Sequence, residues 1–146
     1  MHGAMSTSSN VRFIKLVAVA TVIFSCTRTI AVFDQHAYEN ATSLKAEALA
    51  LMDEATTPFS QLDAEVKGLM IRVEAAYEYA RGLPENEITA EQWEILAAPD
   101  GSLLGGFFAL WAQQGTMSTA GIAASKSNVA AAFDTIIELE AAKIKE

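Results

Sequence analysis

Cysteine, histidine, proline and long apolar runs are all scarce in this chain of 146 residues. Each scarcity removes a class of structure or chemistry. A single cysteine, Cys26, excludes a disulfide within the chain and the Cys-x-x-Cys-His arrangement that attaches haem. The histidines are His2 and His36, so an imidazole base or metal ligand in the body of the chain would have to be His36 alone. A membrane-spanning helix needs about 20 apolar residues. The run from Leu16 to Cys26 is nearer half that length before Thr27-Arg28-Thr29 interrupts it. Strand-like alternation longer than a few residues is absent, as are a glycine-rich phosphate loop and a serine in a recognisable nucleophile elbow.

What the chain does contain begins at its N-terminus. Arg12 and Lys15 precede the apolar run from Leu16 to Ser25, which is the charge and hydropathy pattern of an export signal. Ile23-Phe24-Ser25-Cys26 resembles the lipobox of bacterial lipoprotein precursors, with Phe24 at a position where small or aliphatic residues are usual. The resemblance covers residues 1–26. It implies removal of residues 1–25, diacylglycerol on the Cys26 sulfur, and a membrane contact made through that lipid. It places the rest of the chain in the bacterial cell envelope, facing the periplasm or cell surface. Thr27 is not the aspartate associated with inner-membrane retention, which mildly favours the outer membrane. The alternatives are an uncleaved anchor or an ordinary signal cut elsewhere, and Met5 is a second candidate start.

Without residues 1–25, Arg12 and Lys15 are lost, so eight Lys and Arg face 18 Asp and Glu, a net charge of −10. Such a domain would repel a phosphate backbone, and nucleic acid is excluded as a natural ligand. Residues 26–34 read as a lipidated tether and 35–146 as one domain, rich in Ala, Leu, Glu, Lys and Met. The expected fold class is all-α, an antiparallel bundle of four to five helices.

The first helix is expected over 35–55, with Ala37, Ala41, Leu44, Ala48, Leu51 and Ala55 on one stripe. The second is expected from Thr57 as N-cap with Pro58 at its first position, to Arg81 and a left-handed Gly82 cap. Its seam is Phe59, Leu62, Val66, Leu69, Val73, Ala76 and Ala80, and only Thr56 and Thr57 separate it from the first helix. Thr89 and Gln92 form a capping-box pattern for a short helix ending at Ala98, with Ile88 placed to staple onto Trp93. Pro99-Asp100-Gly101 reads as a turn. A helix over 103–114 follows, capped by Gly115, in which Phe107, Phe108 and Trp111 are core candidates and Gly105-Gly106 permits close backbone approach. The last helix opens at Ser118 or Thr119 and runs to about Lys143. Its adjacent stripes, Ile122, Val129, Phe133, Ile136 and Ala132, Leu139, Lys143, suit two neighbours at once.

Functional residues are sparse. Asp34, His36 and Glu39 are close in sequence but read as a helix-start cluster rather than a metal site. Met52 and Met70 could meet His36 only in a haem-binding bundle, and methionine is an ordinary core filler. Glu74 with Glu78 and Asp134 with Glu138 are carboxylate pairs on helix surfaces, where solvated faces are the default. No cofactor is implied and the expectation is a non-enzymatic binding module. Tyr77, Tyr79, Arg81 and Trp93 are its expected partner surface, chosen because Tyr, Arg and Trp dominate interface hot spots. The loops around 83–89 and 99–103 are expected to frame it. The alternative is a carrier of a small apolar ligand or cofactor, in a cavity between the 103–114 helix and the last helix.

Overall fold

Residues 31–145 are described by a computed structural model, and the signal-like segment with Cys26 lies outside them. Five α-helices account for most of the described chain: α1 (Gln35–Asp53), α2 (Asp63–Gly82), α3 (Glu87–Ala97), α4 (Leu104–Gln114) and α5 (Thr119–Ala142). No strand occurs among the described residues. The all-α class read from composition and periodicity is the observed one.

Four of the helices form a ring in which each packs on the next: α1 on α2, α2 on α3, α3 on α5 and α5 back on α1. Ion pairs set the directions. Glu47 on α1 meets Arg72 on α2, while Lys45 and Asp53 on α1 meet Asp134 and Lys126 on α5, so both neighbours run antiparallel to α1. The helices therefore alternate up, down, up, down around a common core, the simplest bundle topology. Ala41, Leu44, Ala48 and Met52 supply α1's share, and Val66, Leu69, Val73, Ala76 and Ala80 that of α2. Trp93 of α3 stands edge-on to Phe133 of α5 with ring centroids 5.9 Å apart. Val129, Phe133 and Ile136 are fully buried, because the wide apolar face of α5 serves α1 and α3 together.

We call the end holding the start of α1 proximal and the opposite end distal. α4 closes the distal end rather than joining the ring. Its Trp111 ring lies edge-on to Phe59, 5.3 Å between centroids, and its indole N–H donates to the Thr57 carbonyl at 3.1 Å. The Phe59 N–H donates to the Gly115 carbonyl, and the Met117 N–H to that of Ala55, each at 2.8 Å. These ties divert the chain between α1 and α2. Residues 54–56 and 59–61 form two 3₁₀ turns, and α2 begins at Asp63, not Pro58. The antiparallel hairpin stands, with a connection longer than Thr56-Thr57.

Three other local expectations change. Gly82 stays in the last turn of α2, and the left-handed conformation falls on Glu85, at φ 58°. The capping box at Thr89 does not form, because α3 starts two residues earlier and Thr89 is buried inside its first turn. The staple fails too: Ile88 is 65% exposed while Trp93 is 2% exposed. Elsewhere the sequence signals hold. Ser118 accepts the Gly121 N–H at 3.1 Å to open α5, and Gly115 ends α4 at φ 80°. Phe107, Phe108 and Trp111 are buried. A Cβ on Gly105 would lie 2.6 Å from the Ala97 carbonyl carbon, and one on Gly106 2.7 Å from that of Gly101. The glycine pair thus lets α4 turn tightly back on the end of α3.

Candidate interaction surface

At the proximal end the chain enters α1 through Asp34. Its carboxylate accepts the Ala37 N–H at 2.8 Å, satisfying a donor that the helix start leaves open, and also the Tyr79 hydroxyl at 3.0 Å. The Ala37 bond favours the charged form and holds the Asp34 carboxyl below its ordinary pKa, with the Tyr79 bond acting in the same direction. The same pairing raises the Tyr79 hydroxyl, since ionising it beside Asp34 would lose the bond. His36 lies edge-on to the Tyr79 ring at 5.0 Å. Glu39 accepts from Gln35 instead of meeting His36 or Asp34. The three residues act as a helix-start cluster, and no group of three His, Cys, Asp or Glu able to hold a metal occurs among the described residues.

Deeper at this end lies a polar cluster that sequence reasoning missed. Lys143, just past α5, donates to Glu140 at 2.6 Å and to the Asn86 side-chain oxygen at 2.5 Å. The Asn86 amide in turn donates to the Ala80 carbonyl at 2.9 Å. All three side chains are buried, and the second Glu140 carboxylate oxygen has no hydrogen-bond partner among the described residues. The cluster ties the end of α5 to the start of α3 and the last turn of α2. A signal was present: Glu140 continues the apolar stripe Val129, Phe133, Ile136, and Lys143 sits on the Leu139 stripe, so both were placed inward by helical spacing.

The four residues expected to make a partner surface do not share one face. Tyr77 looks towards α3, where it lines a cleft with Glu74, Glu94, Ala97, Ala98 and Pro99, and the Arg81 guanidinium lies 5.5 Å from its ring centre. Arg81 also pairs with Glu78 at 2.7 Å, which raises its already high pKa. Tyr79 looks the other way, towards α1. Trp93 is core and is withdrawn from any surface reading: edge-on packing against Phe133 takes the ring inward. The loops around 83–89 and 99–103 lie at opposite ends of α3, about 16 Å apart at 1.5 Å per residue over 11 residues.

A wide opening runs between α1 and α2. It is a cleft of about 730 Å³ lined by Ala50, Leu51, Ala64, Gly68 and Leu69, with Glu47, Glu54, Glu65 and Arg72 on its rim. A second hollow of about 410 Å³, bounded by His36, Asn40, Leu44, Ala76 and Tyr79, continues it proximally and shares Glu47 and Arg72. The clefts described lie on these two faces of α2, not between α4 and α5.

The remaining pairs behave as surface. Glu74 and Glu138 are exposed, Glu78 pairs with Arg81, and Asp134 with Lys45. His36 and Met52 are 16 residues apart on one helix, about 24 Å, too far to ligate one iron. No helix among the described residues is long and apolar enough to cross a membrane. Comparison with protein-family models, with curated proteins and with solved structures finds no match to this chain.

Proposed function

We infer that the chain is a non-enzymatic interaction module held at a bacterial membrane through lipid on Cys26. The observation that carries this reading is the distance between the lipobox-like cysteine and the fold. Only residues 27–30 separate Cys26 from Ala31, which is already buried at 5% exposure, and the Phe33 ring lies 6.3 Å from that of Tyr38. The five steps from Cys26 to Ala31 span at most about 18 Å. A lipid on Cys26 would therefore hold the proximal end of the bundle beside the headgroups. α1 is 19 residues long, so the distal end would project outwards by about 29 Å, with the α1/α2 cleft along the side of the bundle. The bundle's surface charge suits a cationic partner better than nucleic acid.

The test is the intact mass of the protein extracted from the membrane fraction of its host, compared with Cys26→Ser. A chain starting at Cys26 with added diacylglycerol mass supports the anchor, and the serine variant should lose it. A chain that keeps Met1 or Met5, or that is cut elsewhere without lipid, removes the anchored reading.

A further inference from the structure

Gly68 is a glycine that the fold itself does not need. It lies in the interior of α2, where glycine weakens a helix, and its φ is not in the left-handed region. A Cβ built on it would meet nothing closer than the tip of Arg72, at 3.7 Å. Gly105 and Gly106, by contrast, are excluded from carrying a side chain by backbone close by. Gly68 opens onto solvent at the floor of the α1/α2 cleft, between Leu69 and Ala64. The Arg72 guanidinium, bonded to the Gly68 carbonyl, borders this spot on one side, and beside it the missing side chain leaves room for something outside the chain.

The charges around that floor are one-sided. Glu47, Glu54 and Glu65 are all exposed on the rim, and its one cation, Arg72, is engaged by Glu47 and by the Gly68 carbonyl. The main cleft and the proximal hollow together extend from His36 to Glu54, a span of 18 residues or about 27 Å along α1. A straight helix of five turns has that length, and helices lie against one another most closely where a small residue faces the partner. We propose that the α1/α2 cleft is the docking site for a cationic amphipathic helix of a partner protein, with Gly68 as the point of closest approach and Glu54 and Glu65 facing its Lys or Arg side chains. This deepens the interaction-module reading and rests on its binding half, not on the Cys26 anchor.

The test uses the full chain in phosphatidylcholine nanodiscs and a labelled 18-residue helical peptide of Ala, Leu and Lys, with empty nanodiscs as reference and fluorescence anisotropy as readout. Gly68→Leu, which fills the cleft floor, should weaken binding at least tenfold, and Ala64→Phe, one turn earlier on the same face of α2, should do the same. Glu54→Gln with Glu65→Gln should weaken it several-fold, whereas the remote pair Glu91→Gln with Glu138→Gln should leave it unchanged. Circular dichroism and thermal melts confirm that each variant is folded. Failure of the wild type to bind overturns the proposal, as does equal weakening by the remote pair, which would mean diffuse attraction to an acidic surface. Sedimentation supplies a further check: a wild-type dimer converted to monomer by Gly68→Leu would make a second copy the occupant and overturn the assignment. The mass measurement on Cys26 is unaffected by any of these outcomes, so failure of the cleft and failure of the anchor are distinguishable.

Discussion

Lys143 and Glu140, three residues apart at the end of the last helix, form an ion pair 2.6 Å long whose side chains are 4% and 1% exposed. Burial at this depth is expensive for both charges, and each is tolerated because the other is present. The Asn86 side-chain oxygen accepts a further hydrogen bond from the ammonium, which makes the pair part of the contact between α5 and α3.

Removing one partner should therefore be severe. Lys143→Met leaves the Glu140 carboxylate buried and uncompensated and should lower stability by about 3–5 kcal/mol. Replacing both, Glu140→Leu with Lys143→Met, should recover most of that loss, leaving chiefly the penalty for the unpaired Asn86 oxygen, about 1–3 kcal/mol. Urea unfolding of the three proteins checks this, and equal destabilisation by the single and double variants would contradict it.

The glycines should separate into two groups. Gly68→Ala should raise stability by about 0.5–1 kcal/mol, because the new methyl group meets no obstacle and the helix gains propensity. Gly105→Ala and Gly106→Ala should lower it by about 1–3 kcal/mol or more, since each methyl group would collide with a carbonyl at the turn from α3 into α4. Thermal melts of the three variants distinguish the groups by sign.

Acid should weaken the proximal end through Asp34. Its folded-state pKa is lowered, chiefly by the Ala37 N–H, so its stabilising effect is complete above the ordinary carboxylate range and disappears as pH falls through the folded value. Asp34→Asn keeps a capping oxygen but cannot titrate. The stability gap between wild type and this variant should be widest near neutrality and shrink in acid. Urea midpoints across pH 7 to about pH 3 measure it, and a constant gap would remove Asp34 from the acid response.

Trp93 and its former companions should behave oppositely. Trp93→Ala empties a core position against Phe133 and should cost about 3–5 kcal/mol. Arg81→Ala removes an exposed pair and a cation over the Tyr77 ring and should leave the unfolding midpoint close to that of the wild type. The same denaturation series tests both.

Helix number, order and inward faces were largely legible in the sequence because the 3.6-residue period is local: the stripe on 66–80 is buried as expected, and that on 35–55 is buried except that Met52 takes the inward place expected of Leu51. Helix starts were less legible wherever a distant partner intervened. Pro58 is well suited to a first helical position, yet the bonds from Phe59 to Gly115 and from Trp111 to Thr57 take that stretch for the distal cap. Asn86 precedes α3, but its amide goes to Ala80 instead of the helix's own N–H groups. The surface was legible least of all. Tyr77 and Tyr79 are two residues apart and so point to different neighbours, and the α1/α2 cleft is formed by residues of two helices whose pairing no single stretch of sequence displays.

The ring has an order of completion. Among the described residues α5 is the fifth α-helix in chain order, and it fills the gap between α1 and α3. Until residues 119–143 are available, the apolar edges of α1 and α3 have no mate, and the Asn86 latch has no lysine to receive. A chain growing from its N-terminus therefore cannot close this ring until residues 119–143 have emerged. Losing the last turn of α5 would remove the Lys143 lock as well as the length, so the stretch that completes the ring is also the one that fastens it.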